Sequence, residues 1–397
     1  MNQAKDKIWT PVFTAITAIN FLHSLGFYLL LVMLTQYSVL AFGVSYGVAG
    51  LGMTVYVVSS VLTRMFLGSR IDVWGPKVAL IVGFAFNIAA CLIYLPQISF
   101  ELLLVGRFIH GVGNGLCSGA AAAAAAIVLP SSRKAEGMGY YNVATPLAGG
   151  IGPTIAIMFI NYFESYFAMF LLLLVVNILG TAFCLLIPMR RVRVQGRHVE
   201  DDRALLSRIV YLKALPLTAI VMLAFFCYSG VVSFLTLFAD TRDLQFGAGL
   251  YFIVYAVVGL VTRPWLGRVV DRKGENRVLY ATIPVIAFAF VMLALSHSDA
   301  ILLLSALFMG IGVGGTQSVL MGVVTKLAPA GQQGLAQSTF INGMDIGLGI
   351  GPVLLGVVVG QYGYVSTFCI IALIALAIEP IYYAIHGRKA SEAKRES

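Results

Sequence analysis

"LGRVVDRKGENR", Leu266–Arg277, packs seven charged or amide side chains into twelve residues of a chain that is 59% hydrophobic. A looser copy, "LGSRIDVWGPKV", occupies Leu67–Val78, 199 residues earlier. The same offset carries Arg64 onto Arg263, Gly68 onto Gly267, Asp72 onto Asp271 and Gly75 onto Gly274. It also carries Gly111, Gly113 and Gly115 onto Gly310, Gly312 and Gly314, Pro130 onto Pro329, and Gly152–Pro153 onto Gly351–Pro352. One constant offset across separated stretches marks an internal duplication.

The surroundings of the two strips set the class. Charged residues make up 11% of the chain, against about 25% in a soluble domain, and the mean hydropathy is +0.92. "AIVMLAFFCYSGVVSFLTLF" (Ala219–Phe238) is twenty residues without a formal charge. As a helix it spans about 30 Å, the thickness of the hydrocarbon core. The pattern predicts an all-α membrane protein of twelve spans, near Val12–Leu34, Ser45–Leu67, Val78–Leu95, Leu102–Ala126, Gly139–Ile160, Tyr166–Ile187, Leu215–Phe238, Gly247–Leu266, Val278–Ser296, Ile301–Val324, Leu335–Gly360 and Tyr364–Ile385. Two six-helix bundles, residues 1–187 and 214–386, are expected to flank a linker at 188–213, with a tail at 387–397.

The chain has 26 Lys and Arg residues and a net charge of +9. Apart from Arg242, in a loop after an odd-numbered span, and the intramembrane Arg107, these cations fall in the termini and in, or just inside, the loops that follow even-numbered spans. That asymmetry reads as membrane orientation rather than nucleic-acid binding, and it places both termini in the cytoplasm of a multi-pass inner-membrane protein. The linker carries seven basic residues and reads as a solvated tether. The five cysteines lie in apolar runs without ligand spacing, as small core residues. Val12–Leu34 is long enough to remain a first span, with no cleavage pattern behind it. No metal or cofactor is expected, and a monomer is the expected state.

These motifs resemble those of the major facilitator superfamily along the whole chain. Gly68-x-x-x-Asp72-x-x-Gly75-x-Lys77 and Gly267-x-x-x-Asp271-Arg272-x-Gly274 are similar to that family's signature after spans 2 and 8, with Val73 where a basic residue is usual. Arg107-x-x-His110-Gly111 resembles its Arg-x-x-Gln-Gly motif, with His in place of Gln. Gly149-x-x-Gly152-Pro153 resembles the motif associated with antiporters, but Ala156 and Ile157 stand where a Gly pair is common. The resemblance implies two pseudo-symmetric bundles around a central cavity. Spans 1, 4, 7 and 10 line it, and 2, 5, 8 and 11 flank it.

A Gly permits close helix approach, and an Asp at a helix end can accept hydrogen bonds from backbone N–H groups or a basic partner. Gly68, Asp72, Gly267, Asp271 and Arg272 are therefore expected to latch a conformational gate. Gly152–Pro153 and Gly351–Pro352 are expected to act as close-packing hinges. Residues found in only one repeat are better placed for chemistry. Arg107 maps onto Ala306, and Asp345 onto Pro146. An ionised side chain at mid-bilayer costs about 2.5–3.5 kcal/mol on insertion scales, so it faces a cavity or a partner. Asp345 is the leading proton carrier and Arg107 its expected modulator. Arg107, His110 and Asn114 share one face of span 4 at i, i+3 and i+7. Asn20 and His23 share a face of span 1, and Asn342 and Asp345 a face of span 11. With Asn142, Tyr228 and Gln317 these residues are the expected substrate cavity.

No Walker motif, nucleophile elbow or zinc cluster is present in the sequence. Proton-driven secondary transport remains. The span 5 motif, and "NGMDIGLGIGPVLLG" (Asn342–Gly356), resemble bacterial efflux permeases, a group that includes drug and metallophore exporters. Proton-coupled efflux of a small organic molecule is the expected function. A proton symporter importing a sugar or organic acid, and a lipid flippase, are the alternatives.

Overall fold

Apolar runs this long cannot leave backbone N–H and C=O groups unpaired in hydrocarbon, so they close their hydrogen bonds locally, as helices. In a computed structural model the described residues, 7–67, 73–187, 210–329 and 332–388, form helices and turns and no strand. Eleven helices are long and apolar enough to cross a membrane. They are α1 (Pro11–Phe42), α2 (Tyr46–Leu67), α3 (Pro76–Tyr94), α4 (Phe100–Val128), α5 (Ala144–Phe163, preceded by a short helix Lys134–Tyr141), α6 (Tyr166–Leu186), α7 (Leu215–Asp240), α8 (Gln245–Lys273), α9 (Glu275–Ala294), α10 (Asp299–Leu327) and α11 (Gln333–Tyr382). Most of the predicted linker (188–209) and tail (389–397) lie outside the described residues.

Twelve predicted spans become eleven helices because the last two are continuous. A straight helix of 50 residues would run about 75 Å, more than twice the hydrocarbon thickness. Gly363, at φ 75° and ψ 174°, breaks it instead. The chain then turns back. Near the break Gly356 packs on Tyr46, whereas Tyr382 at the far end donates to Asn276 at the start of α9. Only glycine takes that backbone conformation without a side-chain clash.

Two other boundaries differ from the sequence expectation. The first span was expected to end at Leu34, before the polar run Thr35-Gln36-Tyr37-Ser38. Instead α1 continues to Phe42 and all four of these residues are buried. The eighth span was expected to end at Leu266, ahead of the polar strip. Instead α8 continues to Lys273, so the strip up to that residue forms the last two turns of a helix. Its stop is Gly274, at φ 83°, and its counterpart Gly75 has φ 82°.

The duplication seen in the sequence is also a duplication of contacts. A Cβ on Gly113 would meet Asn87 and Gly83; one on Gly312 would meet Ile286, which is Asn87 carried forward by 199. Gly115 abuts Ser60 and Gly314 abuts Gly259, its equivalent. Gly152 sits on Tyr28, and Gly351 sits on Phe226 and Ser229, which flank the equivalent position 227. Ser99 and Ser298 each cap the helix that follows, accepting from Leu102 and Ile301. The symmetry breaks at Gly310–Gly314, a π-turn inside α10, where α4 stays regular.

The chain packs as two compact units, Met1–Leu31 with Val58–Glu200, and Val32–Val57 with Asp201–Ser397. The second unit therefore includes the end of α1 and the first part of α2. There Thr54 Oγ1 donates to Gly349 O at 2.6 Å, a Cβ on Gly50 would stand 2.5 Å from the Pro352 backbone, and one on Gly356 would stand 2.6 Å from that of Tyr46. Helices in lipid associate through such close backbone approach rather than through hydrophobic burial.

Gly113→Ala and Gly312→Ala each insert a methyl group where backbone stands in the way, an overpacking cost of about 1–3 kcal/mol. Thermal unfolding of the detergent-purified protein should start several degrees lower for both. Gly322→Ala, with open space around it, should leave the transition in place.

Candidate functional site

In the first unit the expected polar residues are gathered by α1, α2, α3 and α4. Arg107 is fully buried and His110 is 2% exposed. The Tyr94 hydroxyl, on α3, lies 3.3 Å from His110 Nδ1 and within hydrogen-bonding reach of Arg107. Two turns along α4, Asn114 Nδ2 donates to Ser60 Oγ at 2.8 Å, and Arg64 Nη2 donates to the same oxygen at 3.2 Å. His23 enters from α1, edge-on to Phe84, facing Asn114. Asn20 Nδ2 donates to the Tyr141 carbonyl at 3.4 Å. Arg107, His110 and Asn114 thus turn towards neighbouring helices of their own bundle.

Two buried atoms of this cluster, His23 Nδ1 and Asn87 Oδ1, have no hydrogen-bond partner among the described residues. An unsatisfied buried group costs about 1–3 kcal/mol.

In the second unit, Asn342 and Asp345 lie one turn apart on α11, Asn342 buried and Asp345 half-buried. Asn342 Oδ1 is buried without a hydrogen-bond partner among the described residues. Gln317 Nε2 reaches Met344 Sδ at 3.7 Å, a weak bond to a soft acceptor. Tyr228 stacks on Tyr255 of α8, their ring centroids 5.0 Å apart.

The remaining predicted residues scatter. Asn142 is exposed in the turn before α5. Gly68 and Asp72 lie outside the described residues. Gly267, Asp271 and Arg272 are exposed at the end of α8, and Asp271 meets Lys326 of α10 at 3.7 Å. Both of those side chains are more than two-thirds exposed, so the pair is worth at most about 1 kcal/mol. Gly152, Pro153, Gly351 and Pro352 are all buried at helix contacts.

Sequence reasoning passed over Tyr94, Asn87, Ser60 and Tyr255. Asn87 carried the signal that singled out Arg107 and Asp345, since its repeat partner is the apolar Ile286. Tyr94 and Ser60 carried none, because hydroxyls are common in membrane helices.

The model of the Major Facilitator Superfamily matches residues 16–299 and 281–396. The chain belongs to that superfamily. An MFS-type transporter of Escherichia coli O157:H7, YhhS, is 25% identical over 92% of this chain and 90% of its own. Among solved structures, the nucleoside transporter NupG aligns with a TM-score of 0.76 at 15% identity, covering 95% of this chain and 99% of that one. A POT family transporter in complex with 5-aminolevulinic acid aligns at 0.78 and 16%, covering 95% and 96%. At such identities the structures establish the fold alone.

The chain is thus a multi-pass membrane transporter of the MFS type, acting on a small-molecule substrate in a lipid bilayer. Its polar cluster in the first unit is an intramembrane hydrogen-bond network. Such bonds average about 0.6 kcal/mol and reach about 1.7. Tyr94→Phe removes the hydroxyl that His110 and Arg107 share, and should lower the melting temperature by a few degrees. His110→Ala in a Tyr94→Phe background should then cost less than His110→Ala alone. A thermal double-mutant cycle measures the difference.

Proposed function

We propose that this MFS transporter couples the export of a small organic molecule to proton uptake by alternating access. The observation that carries the reading is Asp345. It is a half-buried carboxylate within an apolar helix, and its repeat equivalent is Pro146. A carboxylate held in such a place repays its cost when it loads and releases a proton. Asn342, one turn away, offers a carbonyl oxygen with no hydrogen-bond partner among the described residues. Substrate, on this reading, competes for that setting or remodels it, and Arg107 tunes the exchange from the first unit.

Tight glycine contacts between α2 and α11 support the alternating part of the reading. Gly50 and Gly349 let Thr54 reach a main-chain carbonyl, a contact a transporter makes in one state and breaks in another. Basic residues at the ends of α2, α8 and α10 (Arg64, Arg272, Lys273, Lys326) support an orientation with both termini cytoplasmic, in a cell inner membrane. The span 5 Gly-Pro motif favours efflux. The same residues would serve a proton symporter, and direction separates the two.

Untargeted metabolite profiling of cells and medium tests this. Three strains are compared: a deletion strain, one with the intact gene, and one with Asp345→Asn. Export predicts a compound that builds up inside the deletion strain and is cleared by the intact gene alone. Asp345→Asn should remove coupled flux at least about tenfold, the loss of a proton-exchanging group, while the protein stays in the membrane. Full activity in that variant refutes the carrier role, and a compound left behind in the medium of the deletion strain indicates uptake.

A further inference from the structure

At the end of the second unit that holds the turn between α7 and α8, α1 and α7 meet through a polar contact. Gln36 Nε2 donates to Asp240 Oδ2 at 2.8 Å. Gln36 is 8% exposed, inside the buried run that the span prediction had left out. Its other amide atom, Oε1, is buried with no hydrogen-bond partner among the described residues. Asp240 is exposed, so it exchanges protons with water on that face.

The atoms are mismatched for an ionised carboxylate. A primary amide offers donors on nitrogen and an acceptor on oxygen. An ionised carboxylate only accepts, so it answers the nitrogen and leaves Oε1 orphaned. A neutral carboxylic acid offers one of each. Its carbonyl accepts from Nε2 while its O–H donates to Oε1, closing a ring of two hydrogen bonds. We propose that Asp240 is a second proton-binding site of this transporter, separate from Asp345, and that its protonation fastens the end of α1 to the end of α7. The proton comes from water on that face and returns to it when the contact opens.

Gln245 also lies within hydrogen-bonding reach of the same carboxylate, where its amide N–H competes with the proton by donating to the ionised form. Tyr364 faces it from the second limb of α11 and donates to the Tyr46 hydroxyl of α2 at 3.0 Å. Arg242, the cation adjoining the site, is turned away: it donates to the Ser296 carbonyl, approaches His297 and lies 4.8 Å over the Phe238 ring. Asp299 is occupied with the Gly247 N–H. Asp243, a further charge in this turn, is exposed. The contacts that would close with the Gln36–Asp240 pair are those of Tyr46, Gly50 and Thr54 on α11.

The sign follows from linkage. A proton that binds better when Gln36 is in place favours the fastened state, so that state gains population as pH falls and loses it as pH rises. The inference rests on the alternating-access reading above, but not on Asp345 as carrier. Hydrogen–deuterium exchange of the full chain in lipid nanodiscs, corrected for intrinsic rates, reads it at peptides covering 35–46 and 232–245. Protection there should rise about fivefold or more from about pH 8 to about pH 5.5, a coupling of ordinary allosteric size. Asp240→Asn supplies the donor and acceptor permanently and should be protected at both pH values. Gln36→Leu, which leaves the carboxylate without its amide, should lose the pH response. Wild-type protection that ignores pH overturns the proposal. So does an Asp240→Asn variant that still responds like wild type, or a response that vanishes in Asp345→Asn alone. Failure of Asp345 as the transport proton carrier would show in flux, not in this exchange pattern.

Discussion

In hydrocarbon there is no water to satisfy a backbone amide, and no hydrophobic force to push one helix against another. What holds this chain together is therefore contact at short range, and short range requires that a side chain be absent. The glycines do that work at 113, 115, 152, 312, 314 and 351, each at a helix crossing and each paired with a partner in the other repeat. The polar strips at the ends of α2 and α8 drew attention first, but the two-thirds-exposed Asp271–Lys326 pair in the second of them adds little stability. The constant offset of 199 residues is carried in good part by these crossings, where an added Cβ would meet neighbouring atoms.

That constraint explains what was legible. Helix order and the duplication are consequences of apolar run length and of glycine position, both visible in one dimension. Boundaries failed where polarity and burial part company. Thr35, Gln36, Tyr37 and Ser38 look like a loop by composition, yet the fold buries them, Gln36 against Asp240 and Tyr37 against Phe42. The strip after Leu266 looks like a loop because it is charged. It stays helical because nothing before Gly274 breaks the backbone pattern. Gln36 and Asp240 are 204 residues apart and belong to no shared motif, so no reading of spacing would have joined them.

The candidate site was legible in part. Asymmetry between repeats picked out Arg107 and Asp345, and the same rule applied to Asn87 would have added a third member. Helical spacing placed Arg107, His110 and Asn114 together, but could not say that α2 and α3 would answer them with Ser60 and Tyr94. The result is a polar interior that differs between units. The first is rich in imidazole, guanidinium and amide groups. The second has a carboxylate on α11, a stacked tyrosine pair and a π-turn in α10.

That difference bears on mechanism. On the proposed reading the gradient supplies the direction of transport, and the protein must supply a group whose protonation is linked to substrate binding. A pH-dependent shift of conformation asks for more, a group that binds its proton better in one state than in the other, since a ligand with equal affinity for both states shifts neither. The glycine crossings recur at equivalent positions of both repeats. The two carboxylates proposed above as proton sites each lack an acidic counterpart in the first repeat: Asp345 maps onto Pro146, and Asp240 onto Ala41. The packing scaffold and the proposed proton sites are thus separable in this sequence, the first written twice and the second once.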